Sequence, residues 1–128
     1  MVLSAHLLTY SIVGRHKERD KLIATIDLLR ALVAAGQVRI SEHGWDELEA
    51  DDISARDIVA GLDESQVIED YPEFGKGRSV LILQADRNGD PIHVVWGIPK
   101  GFEAPAVLVT AYRPDPDRWD HTFTRRIR

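Results

Sequence analysis

The strongest constraint on how this chain folds is the change in its hydrophobic period after Asp63. Beyond that point apolar residues alternate along four runs, residues 66–71, 79–84, 92–98 and 106–112, all rich in Val, Ile and Leu. The links between them, residues 72–76, 86–91 (with Asn88-Gly89) and 99–105, are short and built from turn-forming residues. A parallel crossover needs a dozen or more residues, usually a helix, and none of these links has that length or pattern. The four runs are therefore expected to pair as an antiparallel meander. Alternation puts Ile92, Val94, Trp96 and Ile98 on one face of their strand, with His93 and Val95 on the other. In the last run it groups Leu108, Thr110 and Tyr112 against Val107, Val109 and Ala111.

The first half of the chain is helical in pattern. Leu22, Ile26, Leu29 and Val33 line one face of a helix expected over residues 21–35, which Gly36 stops in a left-handed turn. A short strand is expected at 37–40. Ser41 is a good N-cap for a helix over 42–50, with Trp45 and Leu48 turned inward. Ser54 caps a third helix, with Asp57 as a short-armed capping-box carboxylate and Ile53 and Ile58 spaced as a hydrophobic staple. A terminal helix is expected near Trp119. The fold class is thus α+β, two to three N-terminal helices packed on a four- to five-stranded antiparallel sheet. Residues 1–20 read as an N-terminal arm and 21–128 as a single domain, a size that buries a core without a metal or disulfide.

There are no cysteines, which excludes disulfides, thiolate zinc sites and a cysteine nucleophile. The apolar opening stretch lacks a preceding basic region and is too short to span a bilayer. The expectation is therefore a cytoplasmic protein without a membrane partner. Net charge is −5, unevenly placed: from Glu42 to Glu73 twelve acidic residues face a single basic one, Arg56, whereas the end of the chain holds Arg113, Arg118, Arg125, Arg126 and Arg128. Such asymmetry suits either a basic working face with an acidic back or simply solvated helix surfaces.

No phosphate-binding glycine loop, dinucleotide fingerprint or His-Glu-x-x-His helix is present. The five histidines are too scattered for a metal site, and no cofactor is expected. His43 falls in the first turn of its helix, where the macrodipole keeps an imidazole neutral and able to accept a proton; a local hydrogen bond is the plainer role. His93, mid-strand in an apolar run, is either a satisfied core histidine or a partner of Thr110 and Tyr112 on one sheet face. Arg113 and Arg78, at strand ends, offer guanidinium forks to a phosphate or pair with carboxylates at the surface. Glu69 and Asp70 point to opposite faces, which argues against a glycosidase-like pair.

The runs RISEHGWDEL (39–48), DIVAGL (57–62), VIEDYP (67–72), PIHVVWGIP (91–99) and VTAYRPDPDRW (109–119) resemble the bacterial domain of unknown function 4258, over residues 37–119. Members are similar in pattern to RelE-like and barnase-like ribonuclease toxins, and some are encoded beside small antitoxin-like proteins. The resemblance implies a catalytic set of His43, His93, Tyr112 and Arg113, with Glu69-Asp70-Tyr71 as a structural block; from their places on the strands, Arg78 and Thr110 are expected as substrate-binding residues. Many members carry arginine where Glu47 stands, which puts activity in doubt if that arginine is catalytic. The expected function is a metal-independent endoribonuclease toxin acting on RNA, with an antitoxin-like partner. The alternative is a non-catalytic protein-binding or regulatory module.

Overall fold

The structure, a computed structural model, describes residues 23–72, 75 and 77–127. Helix α1 (Thr25–Ala34) buries Leu29 completely and packs Ile26, Leu28, Leu32 and Val33 against the core. Gly36 ends it at φ +77°, the left-handed conformation only glycine adopts without strain. Lys21 and Leu22, included in the expected helix, lie outside the described residues. Strand β1 (Val38–Ile40) follows, and Ser41 then caps α2 (Glu42–Ala50), its hydroxyl oxygen accepting from Gly44 N at 2.9 Å. Ser54 likewise caps α3 (Ala55–Gly61), while Ile53 and Ile58 are both buried as the staple requires. Asp57 is turned to Arg87 in an ion pair at 3.0 Å.

Strands β2 (Gln66–Tyr71), β3 (Gly77–Ala85), β4 (Pro91–Pro99) and β5 (Ala106–Tyr112) form the expected antiparallel meander. Strand β1 completes the sheet beside β5 in order β1-β5-β4-β3-β2, but it runs parallel to β5, so the sheet is mixed. The whole meander separates these two strands in sequence, so no turn length dictates their relative direction. The helices cover the inner face, where Leu29, Leu48, Ile58, Leu62, Val80, Ile82, Ile92, Val94, Trp96 and Leu108 make the core.

Three expectations are corrected. Trp45 is 56% exposed, and the buried face of α2 is instead Gly44 and Leu48, one turn apart. The missing side chain at Gly44 brings α2 close against β5: a Cβ there would stand 2.8 Å from Leu108 O. In β5 strict alternation fails because the strand bulges at Val109, between the pairs Val95↔Thr110 and Trp96↔Leu108. The Ser41 hydroxyl donates to Val109 O at 3.0 Å, holding the bulge. Leu108 and Ala111 therefore both face the core, while Val107, Thr110 and Tyr112 face outward. Lastly, the stretch after Pro114 forms turns and an isolated antiparallel bridge, Trp119↔Arg126, rather than a helix.

Candidate functional site

On the outer face, side chains fall into cross-strand rows set by the ladder. One row reads Gln66, Leu83, His93, Tyr112; the next reads Glu69, Leu81, Val95, Thr110. A second bulge, at Ile68, sets Glu69 and Tyr71 in register with that face. The tail, residues 114–127, folds over part of it. Trp119 packs edge-on against His93 at 4.4 Å between ring centroids. Arg126 reaches back to Glu69, its Nε donating to Oε2 at 3.0 Å and its Nη2 to Oε1 at 3.1 Å. The same guanidinium lies 4.7 Å from the Trp119 ring, a cation–π contact.

His93 is 0% exposed. Its Nε2–H donates to Phe123 O at 2.8 Å, which leaves Nδ1 to accept from the Tyr112 hydroxyl at 3.2 Å. Burial pushes its pKa down from the ordinary value, with the Phe123 bond opposing, so the ring is neutral and pins the tail to the sheet. Burial likewise raises the Tyr112 phenol. Between the ordinary histidine pKa of 6.5 and the lower folded value, the unfolded chain binds a proton that the folded chain refuses, so stability falls as pH drops through that window. We expect the melting temperature to decline from pH 7.5 to 5.5 in parallel with a change in Trp119 fluorescence. His93→Gln should flatten that decline, whatever its own cost in stability; an unchanged slope would refute the assignment.

The reachable chemistry lies beside His93. Glu69 is half-buried, Tyr71 is 41% exposed and Arg126 is exposed. The Tyr71 hydroxyl donates to Glu69 Oε1 at 2.5 Å, so one carboxylate is held by a phenol and a guanidinium together. Chiefly the Arg126 hydrogen bond, with a smaller contribution from Tyr71, holds the Glu69 carboxyl below the usual range against the opposing effect of burial. The Glu69 bond in turn raises the Tyr71 phenol. Base, proton donor and cation therefore stand in contact on an open surface.

The residues expected from sequence are distributed as follows. His93, Thr110 and Tyr112 do share the outer face. His43 is exposed on α2, with no side-chain hydrogen bond among the described residues. Arg113 follows Tyr112 directly, but its side chain is engaged elsewhere: its backbone N–H donates to Asp51 Oδ2 and its Nη1 lies 2.8 Å from the buried carboxylate of Asp86, an ion pair by distance without a well-directed hydrogen bond. Arg78 ties down the start of α1 through Thr25 Oγ1, at 3.0 Å, and the Ile23 carbonyl. The guanidinium beside His93 and Tyr112 is Arg126, which nothing in the pattern singled out. Parity alone could have joined Glu69 to Tyr71, two residues apart in one strand. Among the described residues no three His, Asp or Glu side chains gather as a metal site, and no helix is long and apolar enough to cross a membrane.

A family model matches residues 40–113, more than half of the chain and the part running from the end of β1 to Arg113. The chain belongs to the DUF4258 family, a domain of unknown function. The DUF4258 match contains Glu69, Tyr71, His93, Thr110 and Tyr112, whereas Trp119 and Arg126 lie beyond it. No curated protein and no solved structure matches this DUF4258 chain.

Proposed function

We propose that this protein is an endoribonuclease of the toxin type that cleaves RNA by acid–base chemistry without a metal, and that the reaction takes place at Glu69, Tyr71 and Arg126. The observation that carries the reading is the contact of these three groups on an accessible sheet face. Glu69 takes the proton of a ribose 2′-hydroxyl, whose oxygen then bonds to the adjacent phosphorus. Arg126, with Nη1 still unengaged by Glu69, stabilises the charge gathering on the phosphorane. The bond to the 5′-oxygen breaks, and Tyr71 supplies the proton to that leaving oxygen. The products are a 2′,3′-cyclic phosphate and a 5′-hydroxyl; Glu69 returns its proton to Tyr71 across their short hydrogen bond. The trio itself supplies base, acid and cation, so the step asks for no metal. His93 acts here as a positioning residue that holds Tyr112 and the tail.

Helices that precede an antiparallel meander, the order that the family resemblance likens to compact ribonuclease toxins, support the toxin reading, as does the placement of charge. Glu42, Asp46, Glu47 and Glu49 are carried by α2, whereas Arg118, Arg125 and Arg126 stand exposed on the tail. Phosphate attraction depends on local charge at the working face more than on the net value of −5. The test is to incubate the purified chain with RNA in the presence of a chelator and to follow growth on expression. Cyclic-phosphate ends and arrested growth are expected. Intact RNA and normal growth, with the protein folded, would overturn the proposal and favour a non-catalytic binding module, for which Glu69 and Arg126 simply neutralise each other.

A further inference from the structure

A third cross-strand row crosses all five strands: Tyr71, Ser79, Gly97, Val107 and Arg39 occupy successive register positions from β2 to β1. Four inter-strand steps make a row of about 19 Å. Its middle is hollow because two members are small. A Cβ added to Gly97 would meet Arg78 O at 3.3 Å, Val109 Cγ2 at 3.7 Å and Ser79 Cβ at 3.8 Å, so the floor there is bare backbone walled by those side chains. The resulting cleft, about 310 Å³, is lined by Val95, Gly97, Val107 and Val109 among others, with Arg78 and Arg39 also in its wall. On the other side of Ser79 the same row carries Tyr71, whose hydroxyl is bonded to Glu69. Arg39 is exposed and makes no ion pair or hydrogen bond among the described residues.

We infer that this trough is a track for single-stranded RNA, laid across the strands with a phosphate on Arg39, an unpaired base in the valine-walled cleft and a neighbouring base against the Tyr71 ring. The inference deepens the ribonuclease reading and rests on it for the identity of the ligand. An apolar slot of this volume takes one planar base and has no room for a duplex, whose bases are turned inward. An aromatic ring at one end, a sequence-tolerant apolar slot and an uncompensated guanidinium at the other are the elements by which single strands are held. A duplex would also meet the folded tail on the flank of the row.

The test uses a short fluorescent 2′-O-methyl oligonucleotide, which lacks the attacking hydroxyl and is not cleaved, with binding read by anisotropy. Single strands are expected to bind and the same sequence as a duplex to bind far more weakly. Val109→Asp, at a 37% exposed bulge position, should weaken binding roughly tenfold or more, as loss of one stacked base does. Arg39→Gln should weaken it and reduce the slope of log affinity against log salt by about 0.7, the signature of one lost phosphate contact on a single strand. Circular dichroism and melting establish that both variants fold. Cleavage of ordinary RNA by all three proteins alike, with unchanged oligonucleotide binding, would sink the track and leave the ribonuclease standing. Oligonucleotide binding that depends on Arg39 and Val109 without any cleavage would do the reverse. No binding of either form, or preference for the duplex, would also overturn the track and turn attention to a protein occupant.

Discussion

Replacing Glu69 by Gln is expected to slow RNA cleavage by about 10²–10⁴-fold, the usual worth of a positioned acid–base group. The amide keeps the shape of the carboxylate and still accepts a hydrogen bond, so the fold should survive. Its ion pair with Arg126 is largely exposed on the arginine side and adds little to stability. Arg126→Lys keeps a positive charge but loses the planar fork, and should recover only part of the rate lost in Arg126→Ala. The pH profile separates this chemistry from a histidine-driven one. Held below its ordinary value of 4.5, Glu69 stays an active base through mildly acidic conditions, and Tyr71, raised above 10.0, stays an acid well into alkaline ones. The rate should therefore be flat from about pH 5.5 to 9. A limb falling below about pH 6.5 would transfer the role of base to an imidazole, and that result would refute the assignment.

Local signals in this sequence were reliable wherever one residue's chemistry settles one backbone feature. Ser41 and Ser54 cap their helices, Gly36 takes the left-handed turn, and the runs from Gln66 and Ala106 form strands over the expected residues. Errors arose where a long-range contact decides the outcome. Trp45 was expected inside from its hydrophobicity, yet the close approach of α2 to Leu108 turns the helix on Gly44 and leaves the indole outside. The β5 bulge depends on a hydroxyl 68 residues away, and no alternation rule within the strand contains it.

The candidate site was half legible for the same reason. Thr110 and Tyr112 were expected on one face, whereas the register that brings His93 to it was left open by the sequence; the ladder does so, and with the bulge that face carries Val107 rather than Leu108. The joining of His93 to Phe123 O and of Glu69 to Arg126 spans 30 and 57 residues, through a tail with no period of its own. A guanidinium delivered by such a tail leaves no mark in any local pattern. Arg113, in contrast, looked well placed at a strand end, but the strand ends beside Asp51 and Asp86, and those carboxylates claim it.

The tight seating of α2 makes Gly44 the position where a small change should cost most in stability. In an open helix, Gly→Ala gains about 0.5–1 kcal/mol by removing backbone freedom from the unfolded chain. Here the sign should reverse, because the new methyl would lie 2.8 Å from Leu108 O, 3.1 Å from Ser41 Oγ and 3.2 Å from Leu108 Cδ2. The nearest of these is backbone in β5 and cannot rotate away. Moving it would pull on the pairing to both β1 and β4, and on the Ser41 hydroxyl that caps α2 while holding the bulge. Gly44→Ala is expected to lose about 1–2 kcal/mol and Gly44→Val about 3 kcal/mol or more, as overpacking at a site without slack does. For a domain of this length that is a fall of roughly 10 °C or more in melting temperature for the valine variant. A valine variant that melts with the wild type would mean that α2 does not press on β5, and the exposure of Trp45 would then need another cause.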